Sequence, residues 1–526
     1  MRRRLIAAAL AVAASVGVVA AIPAQGAADR NPILTVDGGS LLNLCYQDIG
    51  TTINTPTYAA CRGLQALANA ASATCRLPLR ALPTDPAITE DCAILDGREV
   101  SEAKIERFQH SWLHHALALQ NRLDRRVPLY EAQIPATHNS FNASSYVLPA
   151  KSSSPYYLPS LTNLDPNQVY SLTDQLRMGI RGLEVDLHWV PSIYGNLLTT
   201  GGFWVDVCHG QSTAVPGLPF NVHIGCTVDR SLQNTLLELR RWVARHPHQF
   251  LLIYLENQLD GNLQAHNITA RLIRQTFGHW VYRPPSSLLP GECASMPYGT
   301  SEHHILATGA RVMFVGNCGP GAWNREVFTR GPLWNESGNP TTYGAADCAA
   351  DEKAREAHDV FRRWYQESPF LEALMEATQT MTPAATRRMV RCGVNLTGWD
   401  QLLPGDGRLN AFVWSWARGE PAVGGGRCAY QDRRGRFRTS ACDVRRPAAC
   451  VDRDFDWHVT KAVGPAWRGA ALCRREFPHA RFGVPPNGYR NAQLRAARNA
   501  SGPRVWLDYG EVHGRWRSDV VPSSLR

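Results

Sequence analysis

Two acidic residues stand two positions apart in the apolar segment "GIRGLEVDLHW", at Glu184 and Asp186. Successive side chains of a β-strand point to opposite faces, so both carboxylates are predicted to lie on the same face. A second apolar run, "FLLIYLEN", ends close to a third acid, Glu256. Burying several carboxylates together is costly unless a cation compensates their charge. The pattern therefore indicates a cation site built at the ends of neighbouring strands.

Two imidazoles and one amide accompany these acids. His138 and Asn139 stand in "ATHNSFN", directly after "VPLYEAQIP", which we interpret as a short strand running into a turn. His209 lies in "DVCHGQ", next to a glycine. Asn139 and the three acids supply oxygen ligands of the kind that Ca²⁺ prefers. A hard cation flanked by two histidines suits phosphoryl transfer, because the cation activates a hydroxyl while imidazoles stabilise charge and move protons.

Residues 126–420 alternate between short apolar strands and helical segments. Besides the two segments quoted above, we predict strands at "ARVMFVGN" and "AFVWSWA", the latter as the last strand of the unit. Helices are predicted at "SLQNTLLELRRWVARHP" and "REAHDVFRRWYQES". Such alternation predicts an α/β fold, either a (β/α) barrel or a doubly wound sheet.

Four motifs occur in an order and spacing that resemble the X-domain of phosphoinositide-specific phospholipase C, in its calcium-dependent form. They are "THNSF", "LRMGIRGLEVDLHW", "CHG" and "LLIYLEN". The resemblance implies a distorted TIM barrel. It also implies that His138 and His209 are the two catalytic histidines. The calcium ligands that it implies are Asn139, Glu184, Asp186 and Glu256.

The resemblance further implies a two-step cleavage of a phosphatidylinositol-type lipid at a membrane surface. The inositol 2-hydroxyl attacks phosphorus to give a cyclic phosphodiester and diacylglycerol, and water then opens the ring. His209 would be the general acid and His138 would stabilise the transition state, with Glu184 or Glu256 as the base. Calcium-independent relatives carry a basic side chain where the metal binds, and the three acids argue against that form here.

Two alternatives stay open. Glycerophosphodiesterases and sphingomyelinase D-like enzymes use a similar set of residues, but they carry "HRG" and "HD" where this chain has "THNS" and "CHG". The second alternative is a non-catalytic barrel that carries a binding module. Two local features are also open: the apolar loop "VPSIYGNLLTTGGFW" either contacts lipid or packs as a β-excursion, and His188 either supports the acids or belongs to the core.

The N-terminus predicts secretion. Residues 1–26 begin with "MRRR", continue as an Ala- and Val-rich stretch and end in small residues, which is typical of a signal peptide. Residues 27–125 show helical periodicity and contain four cysteines, so we predict a disulfide-stapled helical region there. The chain has fourteen cysteines, an even number that suits disulfide bonding in an oxidising compartment.

Residues 421–526 are predicted to form a basic, disulfide-containing C-terminal module of mixed α+β structure. They carry 20 Lys and Arg against 9 Asp and Glu, whereas the whole chain has a net charge of +10. The module weakly resembles a C-type-lectin-like module with its halves in swapped order, and this resemblance implies the bridges Cys428–Cys442 and Cys450–Cys473. Its charge suits contact with an anionic surface, and no nucleic-acid partner is expected. The sequence does not predict an oligomeric state.

Overall fold

The computed structural model describes residues 102–143, 167–191, 203–214, 216, 221–224, 230–289, 291–330, 334–336, 340–356, 361–366, 380–498 and 502–518. The predicted signal peptide and residues 27–101 of the predicted helical region lie outside the described residues. The central part of the apolar loop, residues 192–202, also lies outside them.

The strands of the first large unit precede residue 400. In chain order they are β1 (Ile134–Thr137), β2 (Gly182–Pro191), β3 (Phe203–Val207), β4 (Gln211–Thr213), β5 (Val222–Ile224), β6 (Arg230–Ser231), β7 (Leu251–Gln258), β8 (Val312–Gly316), β9 (Val327–Thr329), β10 (Trp334–Glu336), β11 (Phe361–Tyr365) and β12 (Leu396–Trp399). Eight of them form a parallel path in the order β10-β11-β12-β1-β2-β7-β8-β9.

The course of this path is that of a TIM barrel. Each strand except β9 pairs with the next parallel strand along the chain, and β12 returns to pair with β1 over its whole length. Among the described residues the path ends at β9 and β10, so the barrel is open between its fifth and sixth parallel strands. The α/β class and the distorted barrel predicted from the sequence are thereby confirmed.

Helices surround this sheet. They are α1 (Glu102–Gln109), α2 (Trp112–Asp124), α3 (Leu172–Arg177), α4 (Leu232–Arg245), α5 (Leu263–Phe277), α6 (Glu302–Ala307), α7 (Ala345–Glu356), α8 (Pro383–Cys392) and α9 (Gly407–Phe412). Helix α4 matches the predicted segment "SLQNTLLELRRWVARHP". Among the described residues, every helix is too short or too polar to span a bilayer.

The central strands are apolar because both faces are covered. All five residues of β8 are buried, as are the first five of β7. Gly182 lets β1 and β2 approach closely, since a Cβ atom there would lie 2.8 Å from the Cβ of Ala136. The close pairing of these two strands brings the residues that follow β1 next to the acids of β2.

Strand β2 continues beyond the sheet into an antiparallel excursion. Its second half pairs with β3, with Leu187 opposite Val207, and β3 also pairs with β6. Strands β4 and β5 form a separate antiparallel pair. The described ends of the apolar loop therefore belong to a β-excursion, one of the two possibilities that the sequence left open.

Three predicted elements differ from the structure. The last barrel strand is Leu396–Trp399 and not "AFVWSWA", whose two tryptophans instead pack against aromatic residues of the C-terminal module. The predicted helix "REAHDVFRRWYQES" contains strand β11, whose burial between parallel neighbours overrides helical periodicity. Strand β1 begins at Ile134, near the end of the predicted strand "VPLYEAQIP".

The C-terminal module contains two antiparallel sheets. Its strands are β13 (Cys428–Gln431), β14 (Phe437–Ser440), β15 (Ala449–Val451), β16 (Trp457–Val459), β17 (Arg481–Phe482), β18 (Val505–Val512) and β19 (Arg515–Ser518), with helices α10 (Gly469–Glu476) and α11 (Gly488–Ala497). The sheets have the orders β14-β13-β18-β19 and β16-β15-β17. The predicted mixed α+β module is therefore present.

Disulfides connect elements in both parts of the chain. The bridges Cys428–Cys442 and Cys450–Cys473, which the lectin-like resemblance implied, are both formed. The described residues also contain Cys293–Cys318 and Cys348–Cys392. Cys208 is disulfide-bonded as well. Disulfides of this number are typical of proteins from oxidising compartments.

A buried ion cluster joins the barrel to the C-terminal module. Glu131 is fully buried just before β1. Its carboxylate accepts hydrogen bonds from Arg355 at 2.7 Å, from Arg490 at 2.6 Å and from Asn487 at 3.0 Å. The two arginines outweigh the cost of burial and lower the pKa of Glu131 to about 2. Because Arg490 and Asn487 belong to the C-terminal module, this cluster fixes the module against the barrel.

Candidate active site

The three predicted acidic ligands lie together. One carboxylate oxygen from each of Glu184, Asp186 and Glu256 lies within 4.8 Å of the others. Asp186 and Glu256 are register partners on the parallel strands β2 and β7, which explains their proximity. Burial raises the pKa of Glu256, and the negative charge of Glu184 raises it further. A site that concentrates negative charge in this way is suited to a cation.

His138 lies beside this acid cluster and is held by a residue that the sequence analysis missed. Its Nδ1 lies 3.1 Å from Oδ1 of Asp400, a carboxylate that directly follows β12. Its Nε2 lies 4.0 Å from Glu184, and its ring stacks on Tyr365 with 4.9 Å between ring centroids. When Nδ1–H donates to Asp400, Nε2 is the nitrogen that faces the acid cluster.

Asn139 adopts an unusual backbone conformation next to His138. Its φ is +40°, in the left-handed region that asparagine tolerates better than most residues, and its backbone N–H donates to Glu184 at 3.2 Å. Its side-chain nitrogen donates to Asn167 at 3.3 Å, so Oδ1 is the atom that could bind a cation. Asn167 in turn donates to Asp400 at 3.3 Å, which links Asn139 to the partner of His138.

His209 lies just after the β-excursion. It stands two residues beyond Val207, the last residue of β3, which pairs with Leu187 of β2. Gln258 connects the two parts, because its amide nitrogen donates to the backbone oxygen of Gly210 at 3.1 Å and to Glu256 at 2.8 Å. His209 is partly exposed.

Arg363 is the second residue that the sequence analysis missed. It lies on β11, where its Nη2 donates to Oε2 of Glu184. Its guanidinium packs between the rings of Tyr254 and Tyr365, at 4.8 and 4.5 Å from their centroids. The sequence predicted the calcium-dependent form from the three acids, and the structure places an arginine beside them.

His188 is fully buried and belongs to a hydrogen-bonded chain behind the site. Its Nδ1 lies 2.8 Å from Nδ1 of His223, whose Nε2 lies 3.2 Å from Asp260. Burial lowers the pKa of His188 to about 3, and the positive charges of His223 and His209 contribute to this shift. His188 is thus kept neutral, and in the part of the chain that the structure describes its ring bonds to His223 and to the backbone of Cys208.

The donor set fits a divalent cation. With all three carboxyls ionised and Arg363 protonated, the cluster has a formal charge of −2. Carboxylate and amide oxygens are hard ligands, and no thiolate or neutral imidazole belongs to this described acid cluster. The residues that would hold the ion are Glu184, Asp186 and Glu256, together with Asn139.

Comparison with known proteins assigns the chain to a phospholipase C-like class. A family model described as the Rv2075c PI-PLC-like domain matches residues 95–406. The chain is 34% identical over 469 residues to the uncharacterized protein Rv2075c of Mycobacterium tuberculosis H37Rv, covering 86% of this chain and 90% of that one. The same values hold for protein MT2135 of M. tuberculosis CDC 1551. The chain belongs to the Rv2075c PI-PLC-like family.

More distant likeness is found among solved structures. The match to the phosphatidylinositol-specific phospholipase C of Listeria monocytogenes covers 55% of this chain and 93% of the Listeria chain, with 13% sequence identity and a TM-score of 0.33. The match to a Staphylococcus aureus phosphatidylinositol-specific phospholipase C covers 58% of this chain and 98% of the S. aureus chain, with 11% sequence identity and a TM-score of 0.35. The match to a calcium-dependent phosphoinositol-specific phospholipase C from a Pseudomonas species covers 54% of this chain and 93% of the Pseudomonas chain, with 13% sequence identity and a TM-score of 0.27.

Asp400 provides a test of how His138 is oriented. Replacing it with asparagine keeps the shape of the side chain but removes the charge that holds Nδ1–H. If the protein is active as proposed below, we expect Asp400→Asn to lower kcat by about 100-fold or more, because an imidazole in the wrong tautomer cannot act. KM should change much less. Asp406→Asn, which alters the cap of α9, is the control and should leave kcat close to that of the wild type.

Proposed function

We propose that this protein is a secreted, calcium-dependent phosphoric diester hydrolase that cleaves phosphatidylinositol-type lipids in the manner of phospholipase C. The observation that supports the proposal is the cluster of three acids beside His138 at the carboxyl ends of the barrel strands. His209 stands next to Gly210, whose backbone oxygen accepts from Gln258, a residue that also donates to Glu256. Membership of the PI-PLC-like family supports the same reaction class. A barrel does not need these histidine and carboxylate side chains for its stability, and burying them costs free energy.

The reaction follows from the positions of the side chains. The inositol 2-hydroxyl attacks phosphorus and gives up its proton to a carboxylate of the cluster, Glu184 or Glu256. His138, oriented by Asp400, stabilises the charge that develops on the phosphoryl oxygens. His209 protonates the glycerol oxygen as the P–O bond breaks, which releases diacylglycerol and a cyclic phosphodiester. In the second step His209 takes a proton from water, whose oxygen attacks phosphorus. The bond from phosphorus to the inositol 2-oxygen breaks, and the carboxyl protonated in the first step returns its proton to that oxygen.

Calcium belongs to the proposal because of the charge at the site. Arg363 compensates one of three carboxylates, so a divalent cation brings the cluster to neutrality. When bound, Ca²⁺ would lower the pKa of the attacking hydroxyl and bind phosphoryl oxygens. Arg363 also favours a second candidate, a metal-independent phosphodiesterase in which this guanidinium alone supplies positive charge.

The variant Arg363→Met separates these two candidates. It removes one positive charge beside Glu184 while keeping an unbranched side chain of similar length. If calcium binds at the acid cluster, the affinity for calcium should rise by about tenfold or more, because a like charge has been removed within a few ångströms. Isothermal titration with CaCl₂ measures this. Arg274→Met, which removes a guanidinium paired with Glu326, should leave calcium affinity unchanged.

A second outcome for Arg363→Met would contradict the calcium proposal. If the wild-type protein binds no calcium and the variant loses all turnover, Arg363 is the cation of the site and the calcium proposal is wrong.

The head group is tested with a panel of phosphodiesters. We expect turnover of phosphatidylinositol and little turnover of glycerophosphocholine or sphingomyelin, because the proposed reaction requires a hydroxyl next to the phosphoester on the head group. Choline release from sphingomyelin with no reaction on phosphatidylinositol would favour the sphingomyelinase D-like alternative. Absence of turnover on every substrate would favour a non-catalytic barrel.

The proposed setting is the outer surface of a membrane. Disulfides in the described residues suit an oxidising compartment, and a phospholipid substrate requires contact with a lipid surface. Secretion itself follows from the signal peptide predicted at residues 1–26. Detection of mature protein, shortened at its N-terminus, in the culture medium tests it.

A further inference from the structure

A cleft lined by arginines lies between the barrel and the C-terminal module. It has a volume of about 280 Å³. Helix α8 contributes Arg387 and Arg391, which are four residues apart and so lie on one face of the helix. The turn between β13 and β14 contributes Arg434 and Arg436, and α11 contributes Arg495. Five arginines from three separate elements thus surround one small space.

The positive charge of this cleft is poorly compensated. None of the five arginines has a carboxylate within ion-pair distance among the residues that the structure describes. Asp432 is the nearby acid, but its carboxylate accepts hydrogen bonds from Arg438 at 2.8 Å and from the backbone N–H groups of the turn. Like charges are therefore neighbours in this cleft. Arg387, Arg391 and Arg434 are exposed to solvent, which screens part of their repulsion, and Arg436 donates to the backbone oxygen of Val413.

The pKa values agree with this picture. Burial and the neighbouring charges of Arg391 and Arg387 lower the pKa of Arg436 to about 10. Burial and the charges of Arg495 and Arg387 lower the pKa of Arg391 in the same way. An anion placed among these side chains would relieve the repulsion, because each guanidinium could donate to it.

The walls of the cleft also restrict the kind of ligand that fits. They include Val390, Val413 and Trp414, which are buried and apolar. Arginines on three sides match a compact ligand with oxygens pointing in several directions, which phosphoryl groups provide and a single planar carboxylate does not. We infer that this cleft binds a soluble phosphorylated small molecule bearing at least two phosphoryl charges, at a site separate from the candidate active site.

The position of the cleft argues against a lipid head group as the source of these phosphates. Gln133, directly before β1, donates to the backbone oxygen of Val390 and accepts from the backbone N–H of Gly488. The cleft is therefore at the amino ends of the parallel strands, whereas His138 follows the carboxyl end of β1. A membrane that presents a lipid to the active site faces the opposite end of the barrel.

The experiment uses tripolyphosphate as the probe. Binding to the whole mature protein is measured by titration calorimetry in EDTA, so that calcium complexes of the probe do not form. We expect Arg387→Ala/Arg391→Ala to weaken binding by about tenfold or more, because charge-assisted hydrogen bonds are lost. The control Arg453→Ala/Arg474→Ala removes the same charge from exposed positions outside the cleft and should change affinity by less than about twofold.

Loss of folding is separated from loss of binding by two further measurements. Removing like charges should not lower the melting temperature of the double alanine variant, and Arg387→Lys/Arg391→Lys should bind more tightly than that variant. Equal weakening in the control, or no binding of tripolyphosphate to the wild type, would overturn the inference. So would vesicles of phosphatidylcholine and phosphatidic acid that bind through Arg387 and Arg391 when tripolyphosphate does not.

Discussion

Replacing His138 or His209 with alanine is expected to lower kcat on phosphatidylinositol by about 10²–10⁴-fold, the range for removal of a group that moves a proton or stabilises charge. In the proposed reaction the two histidines act on the same phosphorus, so the double variant should be little worse than the poorer single variant. Calcium affinity should change less, because neither imidazole belongs to the acid cluster. Initial rates with micellar substrate, together with calcium titrations, check both expectations.

The matched control for the histidine variants is His248→Ala. His248 is exposed in the loop after α4 and has no described contact with the site. Its replacement should leave kcat unchanged. A His138→Ala or His209→Ala protein that keeps more than about a tenth of wild-type kcat would contradict the proposed roles of these residues.

Replacing Glu131 with alanine is expected to lower the free energy of unfolding by about 3–5 kcal/mol, because Arg355 and Arg490 are then buried without compensation. Both guanidiniums are bound by this carboxylate and both lie in the interior. Urea unfolding at neutral pH measures the change. Glu106→Ala, on the exposed face of α1, is the control and should stay within about 0.5 kcal/mol of the wild type.

The same cluster predicts how stability depends on pH. Glu131 has a pKa of about 2 in the folded protein, against an ordinary value of 4.5. A carboxyl with a lowered pKa contributes stability that is fully present above its ordinary pKa and is lost as the pH falls toward the folded value. The wild type should therefore lose more stability than Glu131→Ala between pH 5 and about 2. Parallel curves for the two proteins would show that the cluster contributes nothing.

The parts of the site that could be predicted from the sequence are those carried by strongly apolar strands. β2 and β7 have long buried runs, so the strand pattern placed Glu184 and Asp186 on one face and Glu256 on the next strand. The structure brings these acids together as predicted. Burial of whole strands between covered faces is the physical reason why this signal is clear.

Arg363 and Asp400 were missed because their strands carry weak signals. β11 reads "FRRWY", in which two adjacent arginines fit the exposed face of a helix as well as a strand. Arg363 is buried against the carboxylate of Glu184 and the rings of Tyr254 and Tyr365, and contacts between distant strands are not visible in a local pattern. β12 is a four-residue strand, "LTGW", which is too short to show periodicity. The sequence pattern therefore did not indicate that Asp400 follows a strand.

The disulfides show a similar division. The resemblance to a lectin-like module implied two bridges that are formed, whereas Cys293–Cys318 and Cys348–Cys392 were not predicted. Cysteine spacing alone does not determine pairing, because the number of possible connectivities grows steeply with the number of cysteines. Pairing follows from the fold, which brings distant segments within bonding distance.

The most direct test of the proposed function is ³¹P NMR of phosphatidylinositol micelles during incubation with the mature protein, first with calcium and then with EDTA. A transient cyclic inositol phosphate signal is predicted in calcium. It should be absent in EDTA and with His138→Ala or His209→Ala. A phosphorus spectrum that stays unchanged in calcium would contradict the proposed cleavage. A cyclic product that forms equally in EDTA would contradict the role of calcium and leave Arg363 as the cation of the site.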